Sequence, residues 1–337
     1  MASKTRTLPA PVQIVTDHWA TWRTSTLAAA VELDVFTAID EGKQTAEAVA
    51  SRAGADASAM RRLLDVLVAM KHLTRGGGQY DLTPATRTFL SRKSDLFMEG
   101  IDQVARMLSM SWQQLAQAVR DGHPVVLGGA PRGEFFAVLV KSIFPQSYAG
   151  GKIAARGIPP QARKRIRNIL DIGGGAASWS ISIAQEIPGA RVTLVDLPEV
   201  VPVARQYTER HGVADRFEYR EGDFRAVEFG AEQFDLVILG HIIHGEGAEW
   251  GKRLIARCAA ALRGKGMLLI AELIPNDART GPAIPMLFDL NMLLHTPSGA
   301  TFTMRDYREW LKAAGFGPVK MVKSAALPSP LILATKP

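Results

Sequence analysis

The sequence predicts a doubly wound α/β domain preceded by a mainly helical domain of winged-helix pattern, and three observations carry that prediction. From about residue 166 onward, five short apolar runs rich in β-branched residues (IRNILDI, RVTLVD, FEYRE, FDLVILG and MLLIAEL) are mostly separated by amphipathic helical stretches. This is the pattern of a parallel sheet covered on both faces. The first run leads into three successive glycines, Gly173, Gly174 and Gly175, where the backbone can pass close to a ligand before a helix begins. Ahead of them, residues 1–90 read as helices closed by a short β-wing.

Within that first region, Val12, Val15, Trp19 and Trp22 recur at spacings of three and four, an apolar helix face that wants a partner. QTAEAVASRAGADASAMRRLLDVLVAMKHL follows, in which Gly54 separates a short helix from a second one carrying Met60, Leu63, Leu64, Leu67 and Met70 on its apolar side. That is helix-turn-helix spacing. In TRGGGQYDLT, Gly76, Gly77 and Gly78 supply a turn between two short strands. Arg61, Arg62 and Lys71 on the second helix invite a DNA-contacting reading. Ten basic against nine acidic side chains over residues 1–90 make a poor footprint for a polyanion, so a homodimer is expected and a nucleic-acid partner is not.

The chain has 337 residues, of which 47% are apolar and 22% charged. That composition excludes disordered and fibrous classes and leaves room for about two domains, placed here at 1–100 and 101–337. No stretch has the roughly 18 uninterrupted apolar residues of a membrane span, and MASKTRTLPAPVQIV lacks a signal-peptide core, so the expectation is a cytoplasmic protein with no membrane partner. Cys258 is the only cysteine, which excludes an intrachain disulfide and a cysteine metal cluster; on LIARCAAAL it reads as a small buried residue. The net charge of +7 concentrates mid-chain, in Lys152, Arg156, Arg163, Lys164, Arg165 and Arg167, a run read as a solvated face.

Ligands of doubly wound sheets bind at the carboxyl ends of the strands. The first strand ends in Asp171 before the glycines, and Ser178 stands where a dinucleotide fingerprint would place its last glycine. A carboxylate there would repel pyrophosphate but suits a ligand bearing an ammonium and a sulfonium, namely S-adenosylmethionine. Asp196, at the end of the second strand, can accept hydrogen bonds from ribose hydroxyls. Gly222-Asp223-Phe224, after the third, offers a carboxylate for the adenine amino group and a ring to pack on the base.

DIGGG, VDLPEV, EGDF, His244 after the fourth strand and GMLLIAEL together resemble the class I methyltransferases, and more narrowly the O-methyltransferase family of plant caffeic acid and bacterial small-molecule enzymes. The resemblance covers nearly the whole chain. It implies a Rossmann-like, seven-stranded methyltransferase domain behind a winged-helix dimerisation domain, with S-adenosyl-L-methionine as cofactor. The cofactor-binding residues it implies are Asp171, Gly173, Gly175, Asp196, Leu197, Asp223, Phe224 and Gly240.

Methyl transfer to oxygen needs a base for the hydroxyl proton, and His244 stands where the family's catalytic histidine does. Gly245-Glu246 replaces the Asp-Trp that often follows it. Glu272, ending the fifth strand, fits the first of the family's two supporting acids, whereas Thr301 occupies the place of the second. The substrate pocket for a small, partly apolar acceptor is expected from Met286, Phe288, Asp289, Met292 and His295, completed by Trp112, Phe135, Phe136, Phe144 and Tyr148. Two alternatives stay open. His244 and His295, or His241, could bind a metal with Asp289 or Glu272 and methylate carbon of a 2-oxo acid. In the other alternative the chain is a ligand-sensing winged-helix regulator.

Overall fold

The structure, a computed structural model, describes residues 10–125, 132–328 and 330–337. It divides into two compact units: the first runs to Phe97 and includes Ile101–Arg106, and the second holds Met98–Gly100 and Met107–Pro337. The boundary expected between residues 100 and 101 falls inside this interleaved stretch.

In the first unit the opening apolar face is carried by two helices, Val12–His18 and Ala20–Glu32. The rings of Trp19 and Trp22 stack at 5.1 Å while remaining 46% and 61% exposed. Helices Ala46–Ala53 and Ala57–Ala69 each begin on a side-chain cap, Thr45 accepting from the Ala48 N–H and Asp56 from the Ala59 N–H. Gly54, in the left-handed region, ends the first of the pair. Met60, Leu64 and Leu67 are buried against Phe36 and Tyr80, as their spacing predicts. Strands β1 (Leu73–Gly76) and β2 (Gln79–Leu82) pair antiparallel with Gly76 opposite Gln79. The loop is therefore Gly77-Gly78 alone, at φ of 57° and 82°, the handedness a two-residue hairpin requires. Arg61 pairs with Glu47, and Arg75 with Asp65.

The second unit is built on seven strands: β3 (Asn168–Ile172), β4 (Arg191–Asp196), β5 (Phe217–Glu221), β6 (Phe234–Gly240), β7 (Leu262–Ala271), β8 (Val319–Val322) and β9 (Leu331–Thr335). They lie in the order β5-β4-β3-β6-β7-β9-β8. Strands β3 to β7 pair parallel, and β9 runs antiparallel between β7 and β8. The antiparallel closure follows from the short turn between the last two strands, which leaves no room for a crossover helix. Alternate residues of each central strand serve opposite layers. Leu170, Val237, Leu239, Leu268 and Ile270 face the helices Ile243–Ala261 and Met304–Ala313. Ile169, Leu236, Ile238, Met267 and Leu269 face Phe144–Gly157 and Ser178–Glu186. Cys258 is buried in the first of these layers. Among the described residues, no helix is long and apolar enough to cross a membrane. In the basic run, Lys152 lies over the Tyr148 ring and Arg156 pairs with Glu186 at 3.6 Å.

The chain order places β4 on one side of β3 and β6 on the other. A crevice opens at the carboxyl ends where the order reverses.

Candidate active site

That crevice holds a cavity of about 560 Å³. Its floor comes from strand ends: Gly173, Gly174 and Gly175 after β3, Asp196 and Leu197 at the end of β4, Gly222, Asp223 and Phe224 after β5, and Gly240, His241 and His244 at the end of β6. Gly173 and Gly175 sit at φ of 61° and 59°, and a Cβ on Gly175 would stand 2.9 Å from Val140 Cγ1. The loop thus needs glycine both for its handedness and for its closeness to the helix above. Asp196 accepts from the N–H groups of Gly175 and Leu197, each at 2.7 Å. Each carboxylate oxygen keeps a second acceptor site for a hydroxyl. Burial raises the Asp196 pKa above its ordinary value, against the pull of those two N–H donors.

Glu272 Oε1 accepts from the Ile243 N–H at 2.7 Å and the His244 N–H at 3.3 Å, so one carboxylate anchors the first turn of the helix Ile243–Ala261. Its Oε2 accepts from His244 Nδ1 at 2.6 Å. With Nδ1 carrying the proton, Nε2 of the neutral ring holds the lone pair a base needs. Burial alone would push the Glu272 carboxyl up, yet the facing His244 ring, its hydrogen bond, His241 and the His244 N–H hold it below the ordinary value. The Phe288 ring meets the imidazole edge-on, with centroids 4.8 Å apart. Behind His244, its carbonyl accepts from the Ala300 N–H at 2.9 Å. The turn carrying Ala300 is itself tied down, since Thr301 donates both N–H and hydroxyl to Asp289 Oδ1, and Arg279 bonds Asp289 and the Thr301 carbonyl.

Several expected site residues are placed elsewhere. Asp171 does not line the cavity; it lies under the glycine loop, buried, accepting from the Ser180 hydroxyl. Of the five residues expected from the segment after β7, only Phe288 lines the cavity. Asp289 is committed to Thr301 and Arg279, Met292 is buried, and Met286 is half-buried outside the lining. His295 donates from Nδ1 to the Asn291 carbonyl and shares a hydrogen bond between Nε2 and the Ser111 hydroxyl, both at 2.8 Å. It is therefore not grouped with His244. The cluster of potential metal ligands among the described residues is instead His241, His244 and Glu272, each offering an atom within 4.8 Å of the others. Trp112 donates to Asn291, while Phe144 and Tyr148 pack in an aromatic group with Tyr207 and His211. Of the aromatic residues expected to complete the pocket, Phe136 alone lines it.

Other lining residues were not anticipated. Leu139, Val140 and Ile143 come from the region of the helix Arg132–Ser142, whose apolar spacing resembles that of any core helix. Trp179 fills the space over Gly240, where a Cβ would stand 2.5 Å from its indole. Glu246 is buried in the wall and held by Arg225 at 2.7 Å.

The order of the sheet, the glycine loop and the carboxylate after β4 define an S-adenosylmethionine-dependent methyltransferase. Residues 157–317 match the O-methyltransferase domain, and residues 19–92 match the O-methyltransferase dimerisation domain. The sequence is 30% identical to the 3-hydroxy-5-methyl-1-naphthoate 3-O-methyltransferase of Streptomyces sahachiroi, over 90% of this chain and 89% of that protein. It is 28% identical to the tetracenomycin polyketide synthesis 8-O-methyl transferase TcmO of Streptomyces glaucescens, over 92% of both. The crystal structure of human N-acetylserotonin methyltransferase in complex with SAM superposes with a TM-score of 0.84, at 26% identity, covering 100% of this chain and 99% of that one. The chain belongs to the O-methyltransferase family.

Proposed function

We propose that this O-methyltransferase methylates a hydroxyl of a small, partly apolar acceptor, phenolic or otherwise of secondary metabolism, with His244 as general base and Glu272 as its orienting partner. The observation that carries this reading is the His244 Nδ1 to Glu272 Oε2 hydrogen bond of 2.6 Å at a ring lining the same cavity as the glycine loop. S-adenosylmethionine supplies an activated methyl group together with its own leaving group. What the protein adds is alignment of the acceptor oxygen and removal of its proton. Asp196 is assigned to the ribose hydroxyls, and Asp223 and Phe224 to the adenine. Gly173, Gly175, Leu197 and Gly240 form the wall along the cofactor, and Asp171 acts from beneath as a support of the loop. The apolar lining from Phe136, Leu139, Ile143 and Phe288, together with relatives named for a hydroxynaphthoate and a polyketide, supports an aromatic acceptor.

A second reading, metal-assisted methylation of carbon, is favoured by the grouping of His241, His244 and Glu272. Against it, the Glu272 oxygens are already engaged by two backbone N–H groups and the imidazole. Wild-type turnover with and without chelator, beside that of the His244→Ala variant, separates the two. Base catalysis predicts a loss of roughly 10²–10⁴ in kcat with cofactor affinity retained and no response to chelator. Chelator-sensitive activity restored by added metal would overturn it.

The stacked, exposed Trp19 and Trp22 lie at the start of the matched dimerisation domain, and the chain is assigned a homodimer through this region. Light scattering coupled to chromatography should give twice the monomer mass of 36.5 kDa, and Trp22→Glu should shift it toward monomer.

A further inference from the structure

His241 stands on the cavity wall beside the base and takes no part in the proton transfer assigned to His244. It is the first residue after β6, where its N–H still donates to the Ala271 carbonyl at 2.8 Å before the chain leaves the sheet. Its φ is 62°, a left-handed conformation that glycine adopts more cheaply than any residue with a side chain. The position thus retains an imidazole at a conformational cost, and such outliers cluster at functional sites.

The ring lies between Trp179 and His244, with centroid separations of 6.0 and 6.2 Å. It fronts the main cavity, and behind it a void of about 10 Å³ is shared with Gln146 and Glu272. Burial lowers its pKa, so the ring is neutral, with one donor and one acceptor nitrogen. Among the described residues, neither nitrogen makes a hydrogen bond to protein. A half-buried imidazole on a cavity wall, with no protein partner for its nitrogens, offers them to whatever occupies that cavity. Imidazole rings with centroids 6.2 Å apart can be spanned by two hydrogen bonds of about 2.8 Å to neighbouring oxygens. A donor placed on the reacting oxygen itself would draw charge from the lone pair that must attack, so the useful partner of His241 is a different oxygen.

We propose that His241 is an acceptor-positioning, specificity-determining residue that hydrogen-bonds a second oxygen adjacent to the hydroxyl presented to His244, selecting aromatic acceptors with two neighbouring oxygens. This rests on the reading of His244 as the base.

The experiment compares kcat/KM for catechol against phenol, and for an ortho-dihydroxynaphthalene against the matching naphthol, in the wild type, His241→Gly and His241→Asn. Both substitutions suit the left-handed backbone, so folding is not put at risk. The wild type is expected to favour the dioxygenated member of each pair by about tenfold or more, the size of one good hydrogen bond. His241→Gly should collapse that ratio to about twofold or less, and His241→Asn, which keeps a shorter donor, should fall between. A merely structural role would lower both members alike and leave the ratio unchanged, which overturns the proposal, as does a wild type without preference. His244→Ala is run in parallel. If it remains active the base reading fails, whereas an inactive His244→Ala with an unmoved His241→Gly ratio removes this inference alone. Wild-type turnover of no member of either pair overturns both.

Discussion

Two buried carboxyl groups lie beneath the two halves of the crevice, Asp171 next to the last residue of β3 and Glu272 just past β7. Their surroundings differ. Asp171 has the Ser180 hydroxyl as its side-chain donor. Burial pushes its carboxyl up to about 7, which the Ser180 hydroxyl offsets only in part and the nearby charge of Asp196 reinforces. Glu272, equally deep, accepts from an imidazole N–H and two backbone N–H groups and stays below its ordinary value. Depth alone does not decide whether an acid is charged; the number and kind of donors does. Under the proposed function, the half with several donors would face a positive charge as it forms on His244, and the half with few would support a loop.

The sharpest way to break this contrast is Glu272→Gln, which keeps the shape and one acceptor oxygen but removes the charge that orients His244. A fall of roughly 10²-fold or more in kcat is expected, by analogy with the acid of a catalytic triad, with cofactor affinity changed little. Rapid-quench turnover checks it, and near-normal chemistry would mean that the hydrogen bond does not serve the base.

Asp196→Ala should act on the other half by weakening cofactor binding about 10- to 100-fold, because hydrogen bonds to a charged group are lost. Titration calorimetry reads this directly. Unchanged affinity would move the ribose to another partner.

Smallest in effect is Asp171→Asn, seen as stability against pH. Because the folded state holds the Asp171 proton up to about pH 7 and the unfolded chain releases it near pH 4, stability falls as pH rises between those values. The Asn variant lacks that decline, so the gap between the two melting temperatures should shift in its favour by a few degrees from pH 5 to pH 8. Glu272 carries the opposite sign: its contribution is present above its unfolded pKa and is lost as pH falls through the lower folded value. A flat gap for Asp171→Asn would show the carboxyl to be ionised in the folded state.

The half built from strand ends was the legible one. Glycines after β3, an acid after β4 and a histidine after β6 follow from where a parallel sheet presents its loops, and that rule needs only the strand pattern. Residues reached through packing were not legible. Trp179 is the second residue of the helix that follows the glycines and reads as core until Gly240 is seen beneath it. His295 looks like a pocket residue by its place after an apolar segment, yet its rotamer sends both nitrogens to Asn291 and Ser111. Asp289, adjacent to the lining residue Phe288, is directed to Thr301 and Arg279 instead. Periodicity identifies a helix and its apolar side, but which of its residues border a void depends on contacts distant in sequence.

The tether behind His244 bears on how such an enzyme could change its acceptor over generations. The His244 carbonyl is bonded by the Ala300 N–H, Ala300 adjoins Thr301, and Thr301 is fastened to Asp289 in the same helix that presents Phe288. If His244 is the base, as proposed, mutations that reshape this helix for a new acceptor should shift its ring as well, making scope and rate co-vary. Leu139 and Val140, on the other side of the cavity, are not members of this chain of hydrogen bonds, and drift in acceptor preference should accumulate there first.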